Sequence, residues 1–249
     1  TVMEIDYAVF LSDIHFEKKN DIGDIYLQKF FLSKTFLNAK YVVFVGDIFD
    51  YAAGNKKEYY ERFKTFFDGL SYALGLKKKV YFVEGNHDVH LEKLIRHYIQ
   101  VNHLDQNYYF HVKEYCALHL FDKKFYLSHG DDLQTSEKYQ KYKKLILSSW
   151  AEKFADLLPL FLFDSLAYRA SRKSRNKKMS EETFKRVRSS FIEGAKKLQK
   201  NYDGVIAGHS HIRELHQEDG FYYINCGYGP GEEGYVIFTQ EGKIVTSYT

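Results

Sequence analysis

Five short clusters of carboxylate, imidazole and amide side chains are the part of this sequence that could do chemistry. They read DIH, GDIFD, GNHD, SHGD and GHSH, and their candidate metal ligands are Asp13, His15, Asp47, Asn86, His129, His209 and His211. Five of the eleven histidines fall in these clusters, and neither cysteine does. A cysteine-free set of this kind suits Mn²⁺, Zn²⁺, Fe²⁺ or Mg²⁺. Seven ligands are more than one ion normally takes, so we expect two ions that share a carboxylate.

Each cluster follows a short apolar run, and these runs predict the elements that position the clusters. Runs and clusters together occupy 8–15, 41–50, 79–88, 124–132 and 202–211. The runs are four to six residues long and rich in Val, Phe and Ile, which is typical of buried strands. Side chains that come directly after such strands would gather in the crevice at the carboxyl ends of a sheet.

The segments between the first three runs predict helices, at about 24–39 and 56–75, because apolar residues recur there every three or four positions. Strand and helix in alternation imply right-handed crossovers and a largely parallel sheet. After a further helix at 90–101, strand meanders are expected at 108–112, 115–121, 124–129, 221–226, 235–240 and 243–249. We therefore predict a mixed α/β core (α+β in part) with two layers packed face to face.

Residues 133–200 interrupt this succession of strands, since they contain no convincing strand and their pattern predicts three or four helices. We expect one core domain, at 1–132 and 201–249, with a helical insertion at 133–200 that forms a lid. The stretch 157–168 is apolar at nine of twelve positions, and 169–178 holds six Lys or Arg and no acid. This pattern suits an amphiphilic phosphate ligand or a membrane surface. The alternative is a helix packed on the core with a solvated charged end.

The composition excludes several classes of protein. With 45% hydrophobic and 28% charged residues in 249, the chain is ordinary for a globular protein and not a disordered one. No apolar stretch approaches the roughly 20 residues that span a bilayer. The first ten residues lack a basic region before an apolar one, so we expect no signal peptide, although a trimmed leader stays open because the first residue is not Met.

Two further features bear on compartment and partners. Cys116 and Cys226 lie far apart without C-x-x-C spacing, which argues against a disulfide framework and makes a reducing cytosol the default. The net charge of +3 is too small to predict a nucleic-acid partner, and the basic stretch lacks interleaved aromatics. We expect a cytoplasmic protein, with peripheral contact at the inner face of an anionic membrane as a further hypothesis. The oligomeric state stays open.

The series DIH, GDIFD, GNHD, SHGD and GHSH resembles the five motifs of the calcineurin-like metallophosphoesterases, over about 1–132 and 201–230. The resemblance implies a two-sheet sandwich flanked by helices, with a dinuclear metal centre on one rim. It also implies that Asp13, His15 and His211 bind one ion. Asn86, His129 and His209 would bind the other. Asp47 would bridge the two ions, for which we expect Mn²⁺, with Fe or Zn as alternatives.

The resemblance also suggests roles for residues beside the ligands. His87 would donate a hydrogen bond to the transition state or protonate the leaving oxygen, which makes it the candidate catalytic residue. Asp50, Asp88 and Asp131 would orient the ligands, and a purely structural role is the alternative for these three. The expected reaction is hydrolysis of a phosphoester or diphosphate bond.

Within this superfamily the chain is most similar to the UDP-2,3-diacylglucosamine hydrolases of lipid A biosynthesis. Its length fits, and an apolar helix followed by YRASRKSRNKKMS lies between the SHGD and GHSH clusters. The substrate contacts implied by that similarity are Arg169, Ser171, Asn176 and Lys178. The sequence departs from the pattern of that family at two places. That family typically has Arg where this chain has His87, and INCGYGPGEEGY stands in place of a G-D-W type sequence.

Three functional hypotheses follow. The first is a hydrolase for the diphosphate of UDP-2,3-diacylglucosamine or a related lipid-linked nucleotide sugar. The second is a phosphodiesterase or phosphatase for soluble nucleotides or phosphoproteins, whose activity would ignore detergent and surface concentration. The third is a non-enzymatic module that docks through its basic insertion, and the complete ligand set argues against it.

Overall fold

The structure is a computed structural model that describes residues 6–133, 137–165, 180–231 and 234–247. Its strands are β1 (Tyr7–Leu11), β2 (Tyr41–Val45), β3 (Ala52–Ala53), β4 (Lys79–Val83), β5 (Asp88–Val89), β6 (Tyr109–Val112), β7 (Tyr115–Leu120), β8 (Lys123–Ser128), β9 (Gly204–Ala207), β10 (Glu214–Glu218), β11 (Phe221–Asn225), β12 (Tyr235–Thr239) and β13 (Ile244–Ser247). Its helices include α1 (Ile22–Leu32), α2 (Lys34–Asn38), α3 (Tyr59–Arg62), α4 (Lys64–Gly75), α5 (Glu92–Val101), α6 (Glu137–Ile146), α7 (Ser149–Leu157) and α8 (Glu181–Lys196).

The strands form two main sheets. The first has the order β13-β12-β1-β2-β4-β6, in which β1, β2, β4 and β6 are parallel and β12 is antiparallel to both of its neighbours, β1 and β13. The second has the order β10-β11-β9-β8-β7, in which β9 is parallel to both of its neighbours. A short ladder pairs β3 with β5. The predicted mixed α/β class is confirmed.

The two sheets pack face to face because their strands carry apolar side chains on the shared face. Phe10 of β1 and Val43 of β2 lie in one buried cluster with Leu127 of β8 and Ile206 of β9. Successive side chains of a strand point to opposite faces, so Val9 and its neighbours form a second cluster with α1, α4 and α5. Both faces of the first sheet are therefore covered, which explains its continuously apolar strands.

The helices α6, α7 and α8 lie between β8 and β9 in the chain and contact the core at separate places. Phe191 and Ala195 of α8 pack on Val205 and Tyr223 at the outer face of the second sheet. The division into a core and an insertion at 133–200 stays a prediction. Among the described helices, none is both long enough and apolar enough to cross a bilayer.

Two predicted helices are interrupted in the structure. The segment expected at 24–39 breaks at Ser33, whose backbone is extended and whose Oγ accepts the N–H of Phe36 to begin α2. The segment expected at 56–75 breaks at Phe63, where φ is −107° and ψ is 36°. A hydroxyl beside the backbone competes with the helix for hydrogen bonds, which explains the first break.

Candidate metal centre

The carboxyl ends of five strands bring the predicted ligands to one place. Asp13 and His15 follow β1, Asp47 follows β2, and Asn86 follows β4. His129 comes directly after β8, and the other two histidines follow β9. Pairing in the first sheet aligns β1, β2 and β4, while β8 and β9 are neighbours in the second. The candidate site therefore lies where the edges of both sheets meet.

One group of donor atoms comes from Asp13, His15 and His211, and these atoms lie within 4.8 Å of one another. The two Nε2 atoms of His15 and His211 are 3.2 Å apart. His211 Nε2 lies 3.2 Å from Asp13 Oδ1, yet that buried oxygen has no well-aligned hydrogen-bond partner among the described residues. A buried carboxylate oxygen that faces imidazole nitrogens in this way is an environment that a divalent cation completes.

A second group comes from Asp47, His129 and His209, again with donor atoms within 4.8 Å. His129 Nε2 is its centre, since it lies 3.2 Å from His209 Nδ1 and 3.4 Å from Asp47 Oδ2. The amide oxygen of Asn86 is 3.3 Å from the same nitrogen. A carboxylate, two imidazoles and an amide oxygen thus converge on one point, and this donor set fits a divalent ion.

Hydrogen bonds fix the orientation of two imidazoles at the site. His129 Nδ1 donates to the carbonyl oxygen of Val45 at 2.9 Å, so Nε2 is the ring nitrogen that can bind a metal. His87 Nδ1 donates to the carbonyl oxygen of Asp50 at 2.6 Å. The backbone N–H of His87 also donates to Asp47 Oδ1 at 2.9 Å, so the GNHD and GDIFD turns are joined at this carboxylate.

The charge states of the buried groups suit metal binding. Burial lowers the pKa of His15 and that of His209 to about 4, which keeps both imidazoles neutral near pH 7. For Asp47, burial by itself would raise the pKa, but His129 and the other nearby imidazoles hold it well below its usual range. Burial opposes ionisation of Asp13 too, yet the neighbouring imidazoles lower its pKa overall. For His129 and His211, burial by itself would lower the pKa, but Asp47 and Asp13 raise it, well above the usual range in the case of His129. These two imidazoles must therefore release a proton when an ion binds, whereas the other two are already neutral.

The backbone at these residues is strained. Five predicted ligands have φ between 51° and 65°, a left-handed region that L-residues seldom adopt: Asp13, His15, Asp47, His209 and His211. Such strain persists where the surrounding structure fixes it, and it is common at functional sites. A Cβ added at Gly85 would lie 2.1 Å from Asp47 Oδ1, so glycine before Asn86 lets the backbone approach the carboxylate closely.

Comparison with known proteins identifies the family. The sequence profile of the Calcineurin-like phosphoesterase family matches residues 8–213, which is most of the chain. The chain belongs to this family. A UDP-2,3-diacylglucosamine hydrolase of Neisseria meningitidis serogroup C (strain 053442) is 28% identical to this phosphoesterase over 229 residues, or 88% of each chain. The corresponding protein of Coxiella burnetii (strain RSA 331 / Henzerling II) is 27% identical over 213 residues, covering 84% of this chain and 82% of the relative.

A solved structure supports the fold of the phosphoesterase. The structure described as a novel archaeal phosphodiesterase covers 98% of this chain and 99% of its own, with a TM-score of 0.50 and 14% sequence identity. At that identity the likeness concerns the fold alone. Two sheets with flanking helices are thus shared with a protein that is distant in sequence.

The three aspartates that we expect to orient the ligands make different contacts in the phosphoesterase. Asp88 accepts four backbone N–H groups, two of them from Gly85 at 2.6 Å and Ile48 at 2.6 Å, and so ties the GNHD turn to the GDIFD turn. Asp50 holds His87 through its carbonyl oxygen, as described above. Asp131 accepts from Lys143 at 2.9 Å and from Tyr139 at 3.2 Å, both on α6, which links the SHGD cluster to this helix.

Several residues at the site were not predicted. Ser12 Oγ donates to Asp13 Oδ2 at 2.5 Å, and Asn225 Nδ2 donates to the carbonyl oxygen of Gly208 at 2.8 Å. The rings of Tyr51 and Tyr228 lie against candidate site histidines. Only Ser12 and Tyr51 carried a signal in the sequence, since each is adjacent to a cluster. The four substrate contacts predicted in the insertion lie outside the described residues: Arg169, Ser171, Asn176 and Lys178.

Proposed function

We propose that the chain binds two divalent ions at this site and uses them to hydrolyse a phosphoester or diphosphate bond. The convergence of two donor groups on neighbouring points is the observation that carries the proposal. One ion would be held by Asp13, His15 and His211, and the other by Asn86, His129 and His209, with Asp47 between them. Mn²⁺ is the expected ion, and Fe or Zn suit the same ligands. When bound, two such ions neutralise charge on a phosphate and make hydroxide available near neutral pH.

His87 is the proposed catalytic residue. Its Nδ1–H is committed to the Asp50 carbonyl, so the proton passed to a leaving oxygen would come from Nε2 of the imidazolium form. The side chain is 19% exposed and therefore accessible to a substrate. Because the His87 backbone N–H also donates to Asp47, the imidazole keeps a fixed relation to the proposed bridging carboxylate.

For the substrate we propose the diphosphate of UDP-2,3-diacylglucosamine or of a related lipid-linked nucleotide sugar. The relatives that carry the hydrolase name align with nearly the whole chain, including the insertion. The described part of the insertion also presents large apolar side chains to solvent: Trp150, Phe154, Leu157 and Phe161. Acyl chains are stabilised by contact with apolar surface of this kind, so the insertion at 133–200 would act as the lid that receives them.

The substrate proposal is tested by product analysis. We expect the Mn²⁺-loaded protein to release UMP and lipid phosphate from UDP-2,3-diacylglucosamine, and the Asp47→Ala variant to release neither. Bis-p-nitrophenyl phosphate serves as a substrate without a lipid. Turnover of this aryl diester alone would contradict the substrate and keep the phosphoesterase.

A second candidate function rests on His87. The hydrolases of lipid A biosynthesis typically have Arg there, so a soluble nucleotide or phosphoprotein is the alternative substrate. Activity on a soluble nucleotide diester that is unaffected by detergent would favour this alternative. Activity that requires mixed micelles and follows the surface concentration of lipid would exclude it.

We also propose peripheral contact with an anionic membrane surface at its cytoplasmic face. Trp150 is 80% exposed and Leu157 is 83% exposed, and Lys153 lies over the Trp150 ring, so apolar and cationic groups share this surface. Sedimentation with anionic liposomes should fall in the double variant Trp150→Ser, Leu157→Ser, and also at high salt. Leu32→Ser is the matched control, since Leu32 of α1 is 82% exposed. Equal sedimentation of all three proteins would contradict the proposal.

A further inference from the structure

The side chain of Asn225, the last residue of β11, is completely buried, and both ends of its amide have hydrogen-bond partners. Its Nδ2 donates to the carbonyl oxygen of Gly208 at 2.8 Å and to the Tyr223 hydroxyl at 3.2 Å. Its Oδ1 accepts the backbone N–H of Gly227 at 3.1 Å. A carbonyl can only accept and a backbone N–H can only donate, so these partners fix which end of the amide faces Gly208.

The peptide group between Gly208 and His209 connects the two donor groups of the candidate metal centre. Its carbonyl oxygen accepts from Asn225, and its N–H, which belongs to His209, donates to Asp13 Oδ2 at 3.0 Å. Ser12 Oγ donates to the same carboxylate oxygen, so Oδ1 is the oxygen of Asp13 that remains for an ion. The imidazole of His209 belongs to the other donor group. The orientation of this one peptide plane therefore affects a proposed ligand of each ion.

This peptide is held in a strained conformation. The N–H of Ser210 donates to the Gly208 carbonyl at 2.7 Å, which closes a three-residue turn centred on His209, where φ is 65°. A turn of this size with positive φ is the rare, strained form. Rotating the peptide between Gly208 and His209 by half a turn would bring φ of His209 to about −115°, which L-residues adopt readily. The hydrogen bond from Asn225 opposes that rotation, because it reaches the carbonyl from outside the turn.

We propose that Asn225 is a positioning residue of the metal centre, which fixes the peptide between Gly208 and His209 and so keeps a ligand of each ion in place. This inference rests on the proposed function, since the two ions are part of it. Without the hydrogen bond from Asn225, the peptide can rotate, remove its N–H from Asp13 and turn its carbonyl oxygen toward this carboxylate. Both ions should then bind more weakly. Because its amide is engaged by other partners, Asn225 acts through the peptide, as groups behind metal ligands commonly do.

The test compares the Mn²⁺ affinities of two variants at the end of β11. Asn225→Leu removes the donor to Gly208 with little change in volume, and calorimetric titration of the metal-free full chain should show Mn²⁺ binding about 10–100-fold more weakly. Tyr223→Phe is the matched control, since Tyr223 is also buried and its hydroxyl is the other partner of Asn225 Nδ2. This control leaves the hydrogen bond to Gly208 intact. It should therefore bind Mn²⁺ like the wild type, even where its melting temperature is lower.

The dependence of activity on Mn²⁺ distinguishes a positioning role from a merely structural one. Hydrolysis of bis-p-nitrophenyl phosphate by Asn225→Leu should reach half its maximum at an Mn²⁺ concentration about 10–100-fold above that of the wild type. At saturating Mn²⁺, kcat and the KM for the diester should return to wild-type values, because the completely buried amide cannot touch a substrate. A variant that is only less stable would melt at a lower temperature and keep the Mn²⁺ dependence of the wild type.

A second variant covers the case in which Asn225→Leu does not fold. Asn225→Asp keeps the shape of the side chain and the acceptor for the Gly227 N–H but lacks the amide donor. Its added negative charge would by itself strengthen cation binding, so weaker Mn²⁺ binding in this variant would come from the lost donor. We expect the same rise in the Mn²⁺ concentration needed for half-maximal activity.

The outcomes also separate the inference from the function on which it rests. Wild-type Mn²⁺ affinity in the Asn225 variants would overturn the inference and leave the metal centre. An equally large loss of affinity in Tyr223→Phe would overturn it too, since any disturbance at the end of β11 would then weaken the centre. If the wild type itself bound no Mn²⁺, that result would count against the proposed function.

Discussion

At the scale of single residues, each of three side chains uses one polar atom to fix its orientation and keeps another polar atom facing the site. Asp47 receives the backbone N–H of His87 on Oδ1, and its Oδ2 faces His129. His129 donates from Nδ1 to Val45 and keeps Nε2 for an ion. His87 is oriented from Nδ1 by the Asp50 carbonyl. Because the second bond of each side chain is made to the backbone, the geometry of the donors is set before any ion binds.

Replacement of His87 tests its role in proton transfer. We expect His87→Asn to lower kcat by about 10²–10⁴-fold, the usual contribution of a general acid, with Mn²⁺ stoichiometry unchanged. Hydrolysis of bis-p-nitrophenyl phosphate and metal analysis of the same samples measure both quantities. His103→Asn, at an exposed histidine after α5, is the control and should behave as the wild type. A kcat for His87→Asn equal to that of the control would rule out this role.

At the scale of elements, the helix α7 is fixed to the core through its last turn. Lys56 is only 6% exposed, and its Nζ donates to the carbonyl oxygens of Ala155 and Leu158 at 2.5 and 2.6 Å. These carbonyls lie at the negative end of the helix dipole, where a cation is favoured. The backbone N–H of Asn55 donates to Asp156 Oδ1 at 2.7 Å nearby. The loop that follows Tyr51 is therefore coupled to α7.

Replacing Lys56 should loosen α7 locally. Lys56→Met keeps most of the side-chain volume but leaves two carbonyl oxygens without their donor, which typically costs about 1–3 kcal/mol. Amide hydrogen exchange should become faster in Ser149–Leu157 and stay unchanged in β1 and β2. Lys57→Met is the control, because Lys57 is an exposed neighbour. Identical exchange in the two variants would show that this contact does not hold the helix.

At the scale of the whole molecule, the centre exists only when both sheets are assembled. Its donors come from positions as far apart as Asp13 and His211, and the first and second sheets each supply some of them. An unfolded chain cannot hold these atoms together, so an ion that binds the site stabilises the folded state by mass action. The buried carboxylates Asp13 and Asp47 also repel each other until a cation neutralises them.

Addition of Mn²⁺ should therefore raise the melting temperature. At a free concentration about 100 times Kd, one site contributes about 2.7 kcal/mol, which corresponds to a rise of roughly 5–10 °C for a chain of this size. Thermal unfolding of metal-free protein with and without Mn²⁺ measures the shift. Asp47→Ala should show a much smaller shift, and Asp68→Asn, on the exposed face of α4, should match the wild type. An unchanged melting temperature in the wild type would mean that the folded protein does not bind the ion at these donors.

The sequence allowed the strands and the candidate ligands to be predicted because both are local features. A ligand such as Asp47 follows its buried strand within a few positions of the chain. The alternation of strands and helices restricts how the strands pair. The ligand assignment and the core–insertion division stay predictions. Tyr228 was not predicted, because its position beside His211 depends on a loop that follows a different strand. Lys56 was not predicted either, because a lysine is ordinarily expected to be exposed to solvent, and its hydrogen-bond acceptor lies on α7, about a hundred residues further along the chain.

The most direct test of the dinuclear centre is a titration of metal-free protein with Mn²⁺ while hydrolysis of bis-p-nitrophenyl phosphate is followed. We predict no turnover without the ion and a rate that rises to a plateau near two bound ions per chain, since both groups of donors must be filled. Asp47→Ala should show no comparable rise. Turnover by the metal-free protein, or no turnover once two ions are bound, would contradict hydrolysis at this centre.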